Sequence, residues 1–127
     1  MDVRTHKLAD GELVGRVVEA GDGYARVVLK TTDSMAVDEH GLVHGGFTFG
    51  AADLAAMVAV NHPNVVLYKA EVRFTAPVRV GEEVTAEATV TTVENKKITV
   101  GVRAFTDKTV LEGVMYCYIP DRHVLEK

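Results

Sequence analysis

The sequence predicts an α+β domain in which a curved antiparallel β-sheet is wrapped around one long α-helix. Residues 45–60 form an almost wholly apolar run, which is typical of a helix buried on most sides. About five or six runs with the composition of β-strands surround it. A chain of 127 residues, 47% of them apolar, has room for one core. We therefore expect a single domain over residues 1–127.

The predicted elements follow in the order strand, strand, helix and then several strands. Residues 12–20 and 24–30 are β-rich runs, and Gly21-Asp22-Gly23 between them supplies a tight turn. The helix is expected to end near Asn61, because Pro63 disfavours helical geometry in the residue before it.

After the helix the apolar period changes to two, which indicates a strand with one core face. Residues 83–93, 98–106 and 110–119 complete the predicted sheet, with Asn95 in a turn. The residues expected on the core face of the first strand after the helix are Val66, Tyr68, Ala70, Val72 and Phe74.

One acid, Asp53, lies at the centre of the predicted helix and is the only charged residue between Gly45 and Asn61. An ionised carboxylate in an apolar interior is unfavourable unless it is paired, hydrogen-bonded or reached by water. Such acids occur at functional sites and also in structural networks. We interpret Asp53 as a candidate functional acid, with a structural role as the alternative.

The composition argues against several classes of protein. The net charge is −4 and acids alternate with bases, which is unlike a nucleic-acid footprint or a polybasic membrane patch. No signal peptide or membrane span is indicated, since the one long apolar run contains Asp53. The single cysteine, Cys117, has no partner for an internal disulfide and is expected in the core. These features predict a cytoplasmic protein.

Three motifs carry a resemblance to a known family: HGG at residues 44–46, an Asp nine residues after that histidine, and F-x-x-P-V-x-x-G at residues 74–81. With the order of elements they resemble the hot-dog superfamily, and within it the acyl-CoA thioesterases of the phenylacetate-pathway type. The resemblance covers residues 13–119. It implies the hot-dog fold, an acyl-CoA substrate, and a homodimer or homotetramer with active sites between subunits. The segment before residue 13 is expected to lack the extra helix of many relatives.

The resemblance also implies roles for three residues: Asp53 matches the catalytic acid, Gly45 the backbone donor to the thioester carbonyl, and His44 a residue that shapes the site. The chemistry of the residues agrees, because free N–H groups at a helix N-terminus can stabilise the charge that develops on the carbonyl oxygen. Gly45 and Gly46 have no side chain to keep that oxygen away. Asp53 is then either a general base for water or the nucleophile.

The spacing of Gly45 and Asp53 predicts a site shared between subunits. Eight residues separate them, which is about 12 Å along a helix axis. One thioester carbonyl cannot contact both. Two helices set antiparallel across a two-fold axis would bring Asp53 of one subunit beside Gly45 of the other.

Other site residues are assigned by position or charge. His44 either contacts substrate or makes a structural hydrogen bond. Gly46 is a candidate for substrate binding through its backbone. Candidates for contacts to the acyl group, with core packing as the alternative, are Phe47, Phe49 and Tyr68, with Met57 nearby. Candidates for binding the coenzyme A phosphates are Arg73, Arg79, Lys96, Lys97 and Arg103.

No metal or cofactor is expected. His40 and His44 lie near Asp38 and Glu39, but the start of the helix is already assigned to the glycine pair. The sequence has no Gly-rich phosphate loop. Many relatives carry Asn six residues before the HGG histidine, where this chain has Asp38.

Three functions remain open at this stage. Acyl-CoA thioester hydrolysis is favoured, because a helix N-terminus and a lone buried acid are what it requires. A hot-dog enoyl-CoA hydratase would need an Asp and a His paired ahead of the helix, and the DEHGLVH stretch lacks the Asn-Pro spacing that those enzymes show. A non-catalytic acyl-CoA binding module would have no need for Asp53.

Overall fold

The computed structural model describes residues 1–126 and confirms the α+β class. Within these residues the chain forms helices α1 (Gly11–Val14) and α2 (Gly45–Val60), a 3-10 turn at Asp33–Met35, and strands β1 (Arg16–Gly21), β2 (Tyr24–Lys30), β3 (Val66–Phe74), β4 (Glu83–Glu94), β5 (Lys97–Phe105) and β6 (Thr109–Tyr118).

The described strands form one antiparallel sheet in the order β1-β2-β4-β5-β6-β3, so β1 and β3 are its edges. Helix α2 packs on the inner face, mainly across β2, β4 and β5. Small side chains on both surfaces let helix and sheet approach closely. These include Ala51, Ala52, Ala55, Ala56 and Ala59 on the helix and Ala25, Ala86, Ala88 and Ala104 on the strands, all buried.

Helix α2 ends where the sequence predicts. Asn61 takes the left-handed conformation with φ 54°, and its N–H donates to the carbonyl of Met57 at 2.8 Å. Asparagine tolerates this conformation better than most residues, and Pro63 prevents further helix. The side chain of Asn61 also binds residues 1–10. It accepts from the N–H of Arg4 and donates to the carbonyl of Asp2, both at 2.7 Å.

The predicted start of the first strand is wrong. Glu12, Leu13 and Val14 belong to helix α1, and β1 begins at Arg16. The side chain of Asp10 accepts from the N–H of Glu12, which caps the helix, and Gly15 ends it with φ 94°. One short turn of helix, which the sequence did not predict, therefore precedes the sheet.

The alternation predicted for β3 holds only for its second half. Leu67, not Val66 or Tyr68, pairs with buried Cys117, and the register shifts between Leu67 and Lys69. This β-bulge adds one residue, so Tyr68 falls on the outer face, where its ring lies 6.5 Å from that of Tyr116. From Ala70 onward the predicted inward direction is correct, although Phe74 at the end of the strand is half-exposed.

The outer face carries a row of alternating charges that crosses all six described strands. Each member lies directly opposite the next in the strand register, and four of the five neighbouring pairs are ion-paired, at 2.8 to 3.5 Å. Opposite charges at facing positions stabilise a strand pair, and a slip by one residue would separate them. The charge row consists of Glu19, Arg26, Glu87, Arg103, Glu112 and Arg73.

Candidate functional site

Asp53 lies on the one stripe of α2 that the sheet does not cover. The stripe also carries Gly46, Phe49 and Gly50, none of which is fully buried. One carboxylate oxygen of Asp53, Oδ1, is buried and has no hydrogen-bond partner within residues 1–126. Buried polar atoms are rarely left without a partner, so this oxygen is free to bind a water molecule or a ligand.

Burial raises the pKa of the Asp53 carboxyl, and the nearby charge of His6 opposes this by lowering it. A carboxylate with a raised pKa is a stronger base than an ordinary one. Asp53 and burial together raise the pKa of the Cys117 thiol to about 12, burial being the larger cause. Cys117 is buried, as predicted, and stays a neutral thiol at physiological pH.

A cavity of about 610 Å³ opens beside Asp53. Cavities of this size are typical of small-molecule sites. Its floor is apolar, and both ends of the chain contribute polar groups to its wall. The lining residues are Thr5, His6, Asp53, Met57, Pro63, Asn64, Val65, Val66, Leu67, His123 and Val124.

The N-terminus of α2 has the second part of the predicted chemistry. His44 precedes the helix and is exposed, and its side chain makes no capping hydrogen bond. Its ring packs edge-on against Phe47, with centroids 6.1 Å apart. A methyl group on Gly45 would lie 3.2 Å from Cε1 of Phe74, and one on Gly46 would lie 3.2 Å from Nε2 of His44. Glycine therefore leaves room for close approach to the first N–H groups of the helix.

One protomer does not bring Gly45 and Asp53 together. Gly45 lies against Phe74, the last residue of β3, whereas the Asp53 cavity is lined by Val66 and Leu67 at the start of that strand. The two groups thus occupy opposite ends of β3.

Sequence reasoning missed two residues of the site. Phe74 was expected in the core, but it is half-exposed beside Gly45 at the open edge of the sheet. The place of His6 could not be predicted, because no periodicity in the sequence indicates that residues 1–10 return to the helix. Phe47 and Phe49 are partly buried against the core. Tyr68 lies on the opposite face of the sheet from Asp53, so its expected place near Met57 is wrong.

A larger cavity, of about 800 Å³, lies on the outer face between Tyr24 and the charge row. Its carboxylates are already engaged: Glu87 accepts from Tyr24 and Arg26, and Glu112 accepts from Arg73. The smaller cavity at Asp53 holds the oxygen without a partner, and we therefore take it as the candidate site.

Comparisons with known proteins agree with this fold. A family model described as the thioesterase superfamily matches residues 40–112, which is more than half of the chain. The chain belongs to the thioesterase superfamily. The structure of an uncharacterised protein from Pyrococcus horikoshii is 54% identical, with a TM-score of 0.98, and covers 99% of this chain and 98% of its own.

Two curated relatives match this chain, and their names describe two different functions. The methylthioribose-1-phosphate isomerase of Aquifex aeolicus is 50% identical over 91% of this chain but only 26% of its own length. The transcription factor FapR of Bacillus velezensis is 28% identical over 76% of this chain and 52% of its own length. The chain thus spans between a quarter and a half of the curated relatives that it matches.

The hot-dog fold of the thioesterase superfamily extends to more distant structures. The phenylacetic acid degradation protein PaaI of Thermus thermophilus, as an N33D mutant, has a TM-score of 0.78 and 24% identity, covering 87% of this chain and 97% of its own. The predicted fold is therefore confirmed. Within the described residues, no helix is long and apolar enough to cross a membrane.

In this thioesterase-superfamily chain, Asp38 stabilises the turn that precedes α2. Its Oδ1 accepts from the N–H groups of His40 and Leu42, at 3.0 and 3.2 Å, and so organises the turn before α2. A carboxylate engaged in this way stabilises the loop that presents His44.

Three of the five basic candidates for the coenzyme phosphates are engaged in ion pairs. Arg73 and Arg103 belong to the charge row, and Lys96 pairs with Asp121. Within residues 1–126, Arg79 and Lys97 form no ion pair, although Lys97 lies 6.0 Å above the ring of Tyr68.

Proposed function

We propose that this chain hydrolyses an acyl-CoA thioester to a free acid and coenzyme A. Asp53 acts as general base or nucleophile, and the N-terminus of α2 of the partner subunit, at Gly45, polarises the thioester carbonyl. The observation that carries the proposal is the buried Oδ1 of Asp53, which has no hydrogen-bond partner within residues 1–126, beside a cavity with an apolar floor. Membership of the thioesterase superfamily supports it.

The chemistry at Asp53 follows from its surroundings. A carboxylate held away from water, with a raised pKa, can take a proton from a water molecule at its free oxygen. It can equally attack the carbonyl carbon to form an anhydride that water then cleaves. In both routes coenzyme A leaves as the thiol after it regains a proton.

The helix N-terminus supplies the complementary group. Attack on the thioester places negative charge on its carbonyl oxygen, and preorganised N–H donors at that position stabilise the transition state. Gly45 and Gly46 keep this end of α2 free of side chains. His44 borders the same opening, where it limits the size of the group that can enter.

The edge strand β3 supports a site shared by two subunits. One side of β3 has no strand partner within residues 1–126, so it can pair with β3 of a second copy. If the two-fold axis passes near Ala70, the middle of the strand, Val66 faces Phe74 of the partner subunit. The Asp53 cavity of one protomer then lies beside Gly45 of the other.

Charges on the outer face of β3 favour the same register. Lys69 and Glu71 flank Ala70, and each would face the opposite charge across the axis, Lys69 against Glu71 of the partner subunit and the reverse. The pairing would also cover Phe74, which a single protomer leaves half-exposed.

A second candidate is a non-catalytic acyl-CoA binding module, favoured by the 28% identity to a transcription factor. Such a module would use the same cavity without turnover. Its function would not depend on the carboxylate of Asp53.

One experiment separates the two candidates. The purified protein is incubated with a panel of acyl-CoAs that differ in chain length and aromaticity, and release of free thiol is followed alongside calorimetric binding. We expect thiol release by the wild type and binding without release by Asp53→Asn. Binding of acyl-CoA by both proteins with no release by either would assign the binding module instead.

A further inference from the structure

Thr5 and His6, in the segment of residues 1–10, line one side of the Asp53 cavity. Asp2 and Arg4 bind the side chain of Asn61 at the carboxyl end of α2, through two hydrogen bonds of 2.7 Å. The segment then passes Asp53 and leads into α1, which packs against the first half of α2. It therefore runs antiparallel to the helix along the stripe that the sheet leaves open.

His6 is an exposed residue that also lines the cavity, and Thr5 orients its ring. Thr5 is buried, and its hydroxyl is 2.8 Å from Nδ1 of the His6 ring. This contact leaves Nε2 as the ring nitrogen available to the cavity. His6 has φ 54°, a left-handed conformation that is unfavourable for a residue other than glycine. Backbone strain of this kind is kept where the surrounding contacts enforce it, and it is often found at functional sites.

The groups that surround Asp53 single out His6. On its own helix Asp53 is the only charge. The titratable side chains that face it from other elements are His6 from residues 1–10, Cys117 from β6 and His123 from the end of the chain. Of these, only the charge of His6 lowers the pKa of Asp53, against the effect of burial.

We propose that His6 is a positioning residue of the active site, presented within the same subunit by residues 1–10, and that it holds the Asp53 carboxylate in its charged form and oriented toward the attacking water. The inference rests on the proposed thioester hydrolysis. The positive charge of His6 favours the ionised carboxylate, and its Nε2 donates to the attacking water. Asp53 stays ionised over a wider range of pH than burial alone would allow.

The test titrates the Asp53 carboxyl carbon directly by NMR in protein labelled with ¹³C-aspartate, using Asp53→Asn to assign the signal. Asparagine tolerates the left-handed conformation of residue 6, so His6→Asn removes the ring and its charge without backbone strain. We expect the midpoint of the Asp53 titration to move to higher pH in His6→Asn. His123→Asn, which removes the other cavity histidine, should leave the midpoint in place.

A second pair of variants tests the orientation of the ring. Thr5→Val removes the hydroxyl at nearly constant volume, whereas Thr5→Ser keeps it. We expect Thr5→Val to move the midpoint in the same direction as His6→Asn, by less, and Thr5→Ser to behave as the wild type. An effect of packing alone would appear in both Thr5 variants.

Activity gives a separate readout. In His6→Asn the acid limb of the kcat/KM profile should follow Asp53 to higher pH, so that kcat/KM falls more at about pH 5.5 than at about pH 8, by a factor of two or more. An unchanged Asp53 midpoint in His6→Asn would overturn the inference. A shifted midpoint in a protein whose wild type hydrolyses no acyl-CoA would support the coupling of the two groups and reject the proposed function.

Discussion

Two carboxylates on opposite faces of the sheet are treated in opposite ways. Glu87 lies on the outer face, where Tyr24 and Arg26 donate to its Oε2 and Arg103 lies 3.5 Å from its Oε1. Asp53 lies behind the inner face, and its buried Oδ1 has no partner within residues 1–126. Glu87, which stabilises the sheet, therefore has hydrogen-bond partners for its carboxylate. Oδ1 of Asp53, to which we assign the chemistry, has none within residues 1–126.

The difference indicates where stability and function reside. A carboxylate surrounded by donors is stabilised in its charged form. On the surface these interactions are weak, so replacing the carboxylate costs little stability. A desolvated carboxylate without donors reduces stability and is maintained only by the elements around it. Substitution of Asp53 should therefore change activity with little loss of stability. Substitution in the charge row should change stability with little effect on activity.

The largest effect should come from Asp53→Asn. We expect turnover of acyl-CoA to fall by about 10² or more, because the amide can neither accept the proton nor attack the carbonyl. Thermal stability should stay the same or rise, since a neutral amide replaces a desolvated charge. Thiol release and thermal unfolding, measured on the same samples, test both parts. Full activity in this variant would show that Asp53 is not catalytic and would favour a structural role for it.

The same variant makes a prediction about pH. The pKa of Asp53 is raised by burial, so the folded state binds its proton more tightly than the unfolded state does. Its contribution to stability is present in acid and is lost as the pH rises through the folded pKa. Relative to Asp53→Asn, the wild type should lose unfolding free energy as the pH rises across that range. Denaturant midpoints at several pH values measure the difference.

A smaller effect is expected at the helix N-terminus from Gly45→Ala. The new methyl would lie 3.2 Å from the ring of Phe74 and would stand where the thioester carbonyl approaches. A shift of the carbonyl by about 1 Å is sufficient to lower kcat/KM by about 10- to 100-fold.

Gly50→Ala is the matched control on the same helix. Its methyl would meet Val14 at 3.5 Å, an ordinary contact, and alanine favours a helix interior by about 1 kcal/mol over glycine. We expect unchanged turnover and equal or higher stability. Equal losses in the two variants would mean that the helix, and not its end, is sensitive to added volume.

The smallest effect should come from Glu87→Gln in the charge row. Its ion pairs are partly exposed, so we expect the Tm to fall by about 2 °C or less and the loss to shrink in high salt. Turnover should not change. A loss of activity in Glu87→Gln would contradict the assignment of stability to the outer face of the sheet and of catalysis to the inner face.

Much of the fold could be predicted because local signals agree with the tertiary structure. The apolar run sets α2, and Asn61 with Pro63 sets its end. The bulge at Tyr68 could not be predicted, since it arises from the pairing of β3 with β6. Helix α1 was missed because its capping acid, Asp10, precedes residues with β-strand composition.

Part of the candidate site could be predicted because its residues also carry local signals in the sequence. Asp53 and the glycines at the start of α2 lie on one helix and carry their own signal. His6 lies beside the Asp53 cavity, and Asn61, more than fifty residues away along the chain, binds the backbone of Asp2 and Arg4 and holds the segment there. Contacts of such long range have no periodicity in the sequence.

Subunit mixing tests the proposal that Asp53 of one subunit acts with Gly45 of another. Two inactive variants, Asp53→Asn and Gly45→Val, are mixed under conditions where subunits exchange, with exchange confirmed by mass spectrometry. In a mixed dimer one site holds both lesions and the other holds neither. Random pairing should restore about a quarter of the wild-type activity. A mixture that exchanges subunits and stays inactive would contradict the shared site.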